Sequence, residues 1–260
     1  MSNEERERPL QEDEVFGDEA PDSARRRLLK MAGAAVALTL APGVTVLARD
    51  LVLKGGRKGR SPVRYGLLID AHACQSGCDA CVRACQDYNG LSHDPGPDNA
   101  QWIRKVTITD PGTGFTRSFP VMCQHCENGA CVDVCPTGAS FRRPDGIVLV
   151  DKHRCIGCRY CLMACPYKAR SFVGRVVTDQ RPWAPRGKGT AEGCTMCVER
   201  VEAGKLPACV AACQKAGHKA MMFGNLHDPK SAIAVRLSKV ATTTIRADLG
   251  MGPGVHYRGI

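Results

Sequence analysis

All sixteen cysteines of this 260-residue chain fall into four runs of four, with none left over. Cys123-x2-Cys126-x4-Cys131-x3-Cys135-Pro136 and Cys155-x2-Cys158-x2-Cys161-x3-Cys165-Pro166 stand back to back. Cys74-x3-Cys78-x2-Cys81-x3-Cys85 precedes them, and Cys194-x2-Cys197-x11-Cys209-x3-Cys213 follows. A structural zinc needs four ligands, usually two pairs separated by a loop. That does not account for three closely spaced thiols plus a fourth before proline, twice over. Cysteines in such dense runs are also poor disulfide partners, and the chain is no small bridge-stapled scaffold.

The Cys155–Cys165 spacing is one at which three thiolates wrap one [4Fe–4S] cube and the fourth reaches a second cube. The fourth is expected to open a helix and point the other way. Such a run needs a partner, and Cys123–Cys135 stands beside it, so Cys123 to Pro166 reads as a two-cluster module. Aromatic residues make up only 5% of the chain, which suits a core filled partly by cubes and their thiolates. The formal net charge is +10, yet residues 1–48 hold nine acidic and six basic side chains, leaving +13 on the remainder. Each oxidised cube with its thiolates adds about −2, so four would bring that part to about +5. The basic excess thus has a use other than nucleic acid, and no helix or aromatic pattern supports nucleic-acid binding. Nothing reads as a nucleotide loop, a catalytic triad or a pterin site.

Residues 1–23 are acidic and lack an apolar repeat. Ala24-Arg25-Arg26-Arg27-Leu28-Leu29-Lys30, the mildly apolar Met31–Leu40 and the small residues up to Ala48 have the form of a twin-arginine signal. Residues 1–48 are therefore read as a signal peptide with an acidic extension, cleaved after Ala48, and the mature protein as periplasmic. Met31–Leu40 is too short to span a bilayer. The twin-arginine route carries folded proteins, so clusters can be assembled in the reducing cytoplasm first; a disulfide protein would have no need of it.

Residues 49–63 read as a basic, Gly-rich linker, and Tyr65–Asp70 as a buried strand. Ile103–Thr109 and Phe115–Phe119 alternate around Asp110–Gly114 as a hairpin, and Ala139–Phe141 and Gly146–Val150 flank a second one at Pro144-Asp145. Ala169–Val173 reads as a strand, residues 174–192 as a crossing segment, and Val198–Ala203 as a helical turn ended by Gly204. Ala220–Phe223 is the last strand expected. Residues 227–260 contain no apolar run of about eighteen residues, and Ala247–Pro253 reads as extended, laid against a partner.

The layout resembles the four-cluster ferredoxin-like subunits of membrane-associated oxidoreductases, such as the electron-transfer subunits of dimethyl sulfoxide reductase, polysulfide reductase and formate dehydrogenase. The likeness covers roughly residues 64–226. It implies an α+β fold of two nested modules, each carrying two [4Fe–4S] clusters. Residues 64–95 and 188–226 would form the outer module, 116–180 the central one, and 227–260 an extended tail. Carried over residue by residue, one central cube takes Cys123, Cys126, Cys131 and Cys165, and its neighbour takes Cys155, Cys158, Cys161 and Cys135. In the outer module Cys74, Cys78, Cys81 and Cys213 hold one cube, and Cys194, Cys197, Cys209 and Cys85 the other. The gap after Cys74 is one residue longer than the ferredoxin spacing, with Gly77 allowing the wider loop; a corner lost there would leave a three-iron cube. Gln86 stands where the ferredoxin run has proline.

Within that family, the signal, Cys123-Gln124-His125-Cys126, Cys155–Cys161, Cys165–Phe172, Gly204–Cys209, Phe223–Pro229 and the Leu249–Tyr257 tail are similar to the periplasmic iron–sulfur subunits of Dsr-type sulfur-metabolism membrane complexes. This implies a non-catalytic subunit that relays electrons between a polytopic, quinone-handling membrane subunit and a multihaem cytochrome c. Its membrane association would then come through partners. The alternative is the same conduit serving a twin-arginine-exported molybdopterin oxidoreductase of polysulfide, tetrathionate or formate type. A stand-alone reductase would need an open iron site, which sixteen cysteines for four cubes do not leave. A zinc-stapled interaction module would be colourless.

Other residues near the runs have quieter readings. His125 reads as a supporting or surface side chain rather than a Rieske-type ligand, as do His72 and His153. Met122, Met163 and Met196 read as apolar shields of the clusters. Gly129 and Gly157 would let the backbone approach a cube. Lys168, Arg170 and Arg175 are read as a docking face for an acidic partner or as solvated charge.

Overall fold

Leu67, Leu68 and Ile69 are at most 2% exposed, and the strand they form, β1 (Tyr65–Asp70), is the middle strand of the main sheet. The computed structural model describes residues 61–260 except 95, 97, 98 and 179. The signal-peptide and acidic-leader readings, and the linker reading up to residue 60, lie outside the described residues. After β1 come α1 (Ala80–Asn89), β2 (Ile103–Thr109), β3 (Thr116–Met122), α2 (Ala130–Asp133), β4 (Ser140–Arg142), β5 (Val148–Val150) and α3 (Tyr160–Ala164). Then follow β6 (Ser171–Phe172), β7 (Ala191–Glu192), α4 (Val198–Glu202), α5 (Ala208–Lys215), β8 (Met221–Asn225), α6 (Ala232–Leu237) and β9 (Val255–Arg258). Short helices and mostly antiparallel strands make this an α+β fold.

The predicted hairpins form, with shifted ends. β2 and β3 pair from Ile103↔Met122 to Thr109↔Thr116. β3 runs three residues past Phe119 because Pro120, Val121 and Met122 are buried as well. It thereby delivers the chain directly to Cys123. β4 and β5 pair around Pro144-Asp145, Ser140 facing Val150. The expected strand at Ala169–Val173 shrinks to β6, whose partner β7 is the end of the supposed crossing segment.

The helices open on the third cysteine of each run, not on the fourth. Cys81, Cys131, Cys161 and Cys209 are the second residues of α1, α2, α3 and α5. The x3 gap to the next cysteine is an i, i+4 step, which keeps both thiols on one helix face a turn apart. Cys85 and Cys213 fall inside their helices, whereas Cys135 and Cys165 lie just past theirs. α1 packs on α5, and α2 on α3.

The tail departs most from expectation. Residues 227–260 are not one extended arm: they contain α6, a 3-10 turn at Ala247–Leu249 and β9, which pairs parallel with β1 from Leu67↔Val255 to Asp70↔Arg258. Val255 and Tyr257 have no exposed surface. The Gly254 amide donates to the Gln124 carbonyl at 2.7 Å, and that of Glu127 to the Gly252 carbonyl at 2.9 Å. Tyr257 packs edge-on to Phe119 and accepts from Gln124 Nε2 at 3.1 Å. The tail therefore fastens β1 to the loop that carries Cys123 and Cys126.

Candidate metal centres

The sixteen thiols gather in four quartets. Cys85, Cys194, Cys197 and Cys209 line one cavity, walled by Leu67, Trp102, Ile103, Met122 and Met196. Cys135, Cys155, Cys158 and Cys161 line a second. Cys126 lies within electrostatic reach of Cys123, Cys131 and Cys165, and Cys81 within reach of Cys74, Cys78 and Cys213. The packed helices explain the exchange of corners. α1 and α5 each carry one thiol of the Cys74 quartet (Cys81, Cys213) and one of the Cys194 quartet (Cys85, Cys209). The third and fourth cysteines of the central runs divide in the same way.

We label the quartets A (Cys74, Cys78, Cys81, Cys213), B (Cys85, Cys194, Cys197, Cys209), C (Cys123, Cys126, Cys131, Cys165) and D (Cys135, Cys155, Cys158, Cys161). Cys209 of B feels Cys81 of A, Cys194 of B feels Cys123 of C, and Cys161 of D feels Cys131 of C. The quartets thus follow one another in the order A–B–C–D. All four thiols of B are buried, and in C only Cys131 is partly open. The end quartets have more open thiols: Cys74 and Cys78 in A, and Cys135, Cys155 and the exposed Cys158 in D.

Among the described residues no three His, Cys, Asp or Glu side chains converge closely enough to share one metal ion. The thiols surround volumes instead of meeting at a point, which suits a polynuclear centre and not a tetrahedral zinc. Burial pushes the Cys81 and Cys126 thiols up to about 12, and those of Cys123 and Cys197 up to about 11. Without a metal these groups stay protonated, so loading must release protons. Cys135 goes the other way: burial raises it, but the Ser140 amide and the Thr137 hydroxyl outweigh that and hold it below the usual thiol value.

Hydrogen-bond donors already point at sulfur. The amides of Ser140, Ala191, Met196 and Ala169 donate to Cys135, Cys155, Cys194 and Cys165 at 3.3, 3.4, 3.4 and 3.5 Å. Asn89 Nδ2 donates to Cys85 at 3.5 Å. Among the described residues His125 Nε2 and Trp102 Nε1 are buried with no hydrogen-bond partner, and the Tyr167 hydroxyl is buried with the Cys126 thiol as its neighbour. His125 lies in the Cys123–Cys126 loop and Trp102 in the wall of B. Buried donors without acceptors are costly, and sulfur-rich clusters in these spaces would supply acceptors.

His125 is not a surface residue. It is 1% exposed, its Nδ1 accepts the Val148 amide at 3.0 Å, and burial takes the imidazole down to about 3, so it is neutral. His72 and His153 are exposed. Met122 and Met196 wall quartet B, whereas Met163 is 70% exposed and shields nothing. Gly157 has φ +73°, and a Cβ there would stand 2.3 Å from the Gly189 carbonyl oxygen, so chain packing is what demands glycine. At Gly129 a Cβ would make only ordinary contacts. Gly77 takes φ +80° in the widened loop after Cys74. Lys168 and Arg175 are exposed, but Arg170 is buried against Cys131 and belongs to no docking face.

Two basic residues at the site carry no sequence signal. Lys105, on β2, donates to the carbonyls of Gln75 at 2.6 Å and of Cys78, closing the loop of quartet A. Lys152 donates to the Ala191 carbonyl at 2.5 Å, and burial lowers it to about 8.

A family model described as the 4Fe-4S dicluster domain matches residues 115–226, which hold the last three cysteine runs. The chain is 36% identical to the Hdr-like menaquinol oxidoreductase iron-sulfur subunit 1 of Archaeoglobus fulgidus, over 90% of this chain and 97% of that protein. It is 37% identical to the NrfC protein of Escherichia coli, over 90% and 94%. With a tetrathionate reductase subunit of Salmonella typhimurium it shares 36% identity, over 92% and 89%.

Proposed function

This chain belongs to the family of ferredoxin-type 4Fe-4S dicluster iron–sulfur subunits, and we propose on that premise that it is an electron conduit with four [4Fe–4S] clusters, one in each quartet A to D. When bound, such clusters supply one-electron acceptance and donation at potentials set by charge, hydrogen bonding and solvent access. The chain's own part is to hold, insulate and order them. Thiolates fix each position, the amides of Ser140, Ala191, Met196 and Ala169 stabilise sulfur charge, and the walls of B keep out water. The observation that carries this reading is the linear order of the quartets, more closed in the middle than at either end. The pairing of α1 with α5 and of α2 with α3 supports an outer module enclosing a central one.

No helix among the described residues is long and apolar enough to cross a membrane. We place the protein in the periplasm, exported through its twin-arginine segment and held to the membrane by partners. In this reading it is the DsrO subunit of a Dsr-type complex, passing electrons between a quinone-handling membrane subunit and a multihaem cytochrome c. The Archaeoglobus fulgidus relative, named as a menaquinol oxidoreductase subunit, supports the quinone side. The tetrathionate reductase relative favours the second reading, a partner with a molybdopterin centre. Anaerobic isolation of the tagged protein from its native membranes, with covalent haem and molybdenum both quantified, separates the two. Haem c without molybdenum is expected; molybdenum without haem would transfer the protein to the second class.

A further inference from the structure

Between quartets C and D lies a buried charge that the conduit reading leaves without a task. Arg170 is 9% exposed. Its Nη2 donates to Cys131 Sγ at 3.5 Å and to Ser140 Oγ at 3.0 Å. The guanidinium lies close to Cys123 and Cys131 of C and to Cys161 of D. Ser140 in turn gives its own amide to Cys135 of D at 3.3 Å. The arginine is thus fastened to both quartets, through thiol and hydroxyl contacts and not through a carboxylate.

Among the described residues, no Lys or Arg lines quartet B. Leu67, Trp102, Ile103, Met122, Met196 and Pro207 surround it. The cation that reaches it, Arg200 near Cys197, is opposed there by Glu199. An electron added to a cluster makes it more negative, and a neighbouring cation at low dielectric favours that form. Cluster potentials follow net charge and hydrogen bonds to sulfur.

We propose that Arg170 sets the reduction potentials of the C and D centres together, holding both above that of B. This rests on the reading that the quartets carry cubes. An electron passing from the C–D half towards A must then climb to B.

The test is a dithionite titration of anaerobically purified full-length protein, each centre followed by its EPR signal. The unaltered protein is compared with Arg170→Met and Arg170→Lys. Iron and sulfide content of the unaltered protein tests the cluster reading; the variants, at matched iron content, test the arginine. Arg170→Met is expected to lower two of the four midpoint potentials and leave the other two in place. Arg170→Lys should lower the same two by less, because the ammonium keeps the charge but lacks the fork that spans thiol and hydroxyl. Equal shifts in all four, a shift in one alone, or no shift would overturn the proposal. Should Arg170→Met fail to load iron, the lysine variant decides by itself: unchanged potentials refute the inference, and a drop confined to two centres sustains it.

Discussion

Glu192 has no exposed surface, and both of its carboxylate oxygens accept from Arg186, at 2.9 and 3.1 Å. Arg186 also donates to the Gly90 carbonyl at 2.9 Å. This pair locks the end of the 174–192 segment under the first cysteine helix, one residue from the Ala191 amide that serves Cys155. Glu192→Gln would leave the guanidinium buried beside a neutral partner, and removing one member of a buried ion pair costs about 3–5 kcal/mol. The unfolding free energy of the loaded protein from urea titration is expected to fall by that amount at unchanged slope; a loss under about 1 kcal/mol would show that the pair is dispensable. At this scale the sequence displays the cysteines but not the charges among them. Lys168, Arg170 and Arg175 are alike as letters. Only the two-residue step from Lys168, turned by its φ of +50°, sends Arg170 inward while the others stay exposed.

Elements are legible where one local signal decides them. Tyr65–Asp70 is an apolar run with nowhere to go but a core, and Gly204 ends α4 after Glu202 with φ +70°. β6 and β7 are not legible in the same way, since each is two residues long and exists because the other does. β9 carries no signal of its own, because Val255–Arg258 looks like a loop until β1 supplies its partner. Its docking carries a pH signature. Burial, aided by Arg64, lowers His256 below its ordinary 6.5, so the folded strand holds it neutral while the unfolded chain takes up a proton. Stability from this group is therefore present above about pH 6.5 and is lost as pH falls through the folded value. His256→Gln is expected to flatten the decline in stability between about pH 6.5 and 5. An unchanged slope in the variant would show that the imidazole does not titrate with folding.

Taken whole, the molecule spends its core on thiols. Eight of the residues in its main buried cluster are cysteines, alongside Leu67, Ile69, Met122 and Tyr257. The runs in the sequence could announce this chemistry because ligand spacing is a local property. The order A–B–C–D is not local: it depends on α1 meeting α5 across more than a hundred residues of chain. The most direct measurement is the iron and acid-labile sulfide content of the anaerobically purified protein. About sixteen of each per chain, with brown absorbance bleached by dithionite, is the expected result. A colourless protein holding zinc and no inorganic sulfide would contradict the assignment of all four quartets.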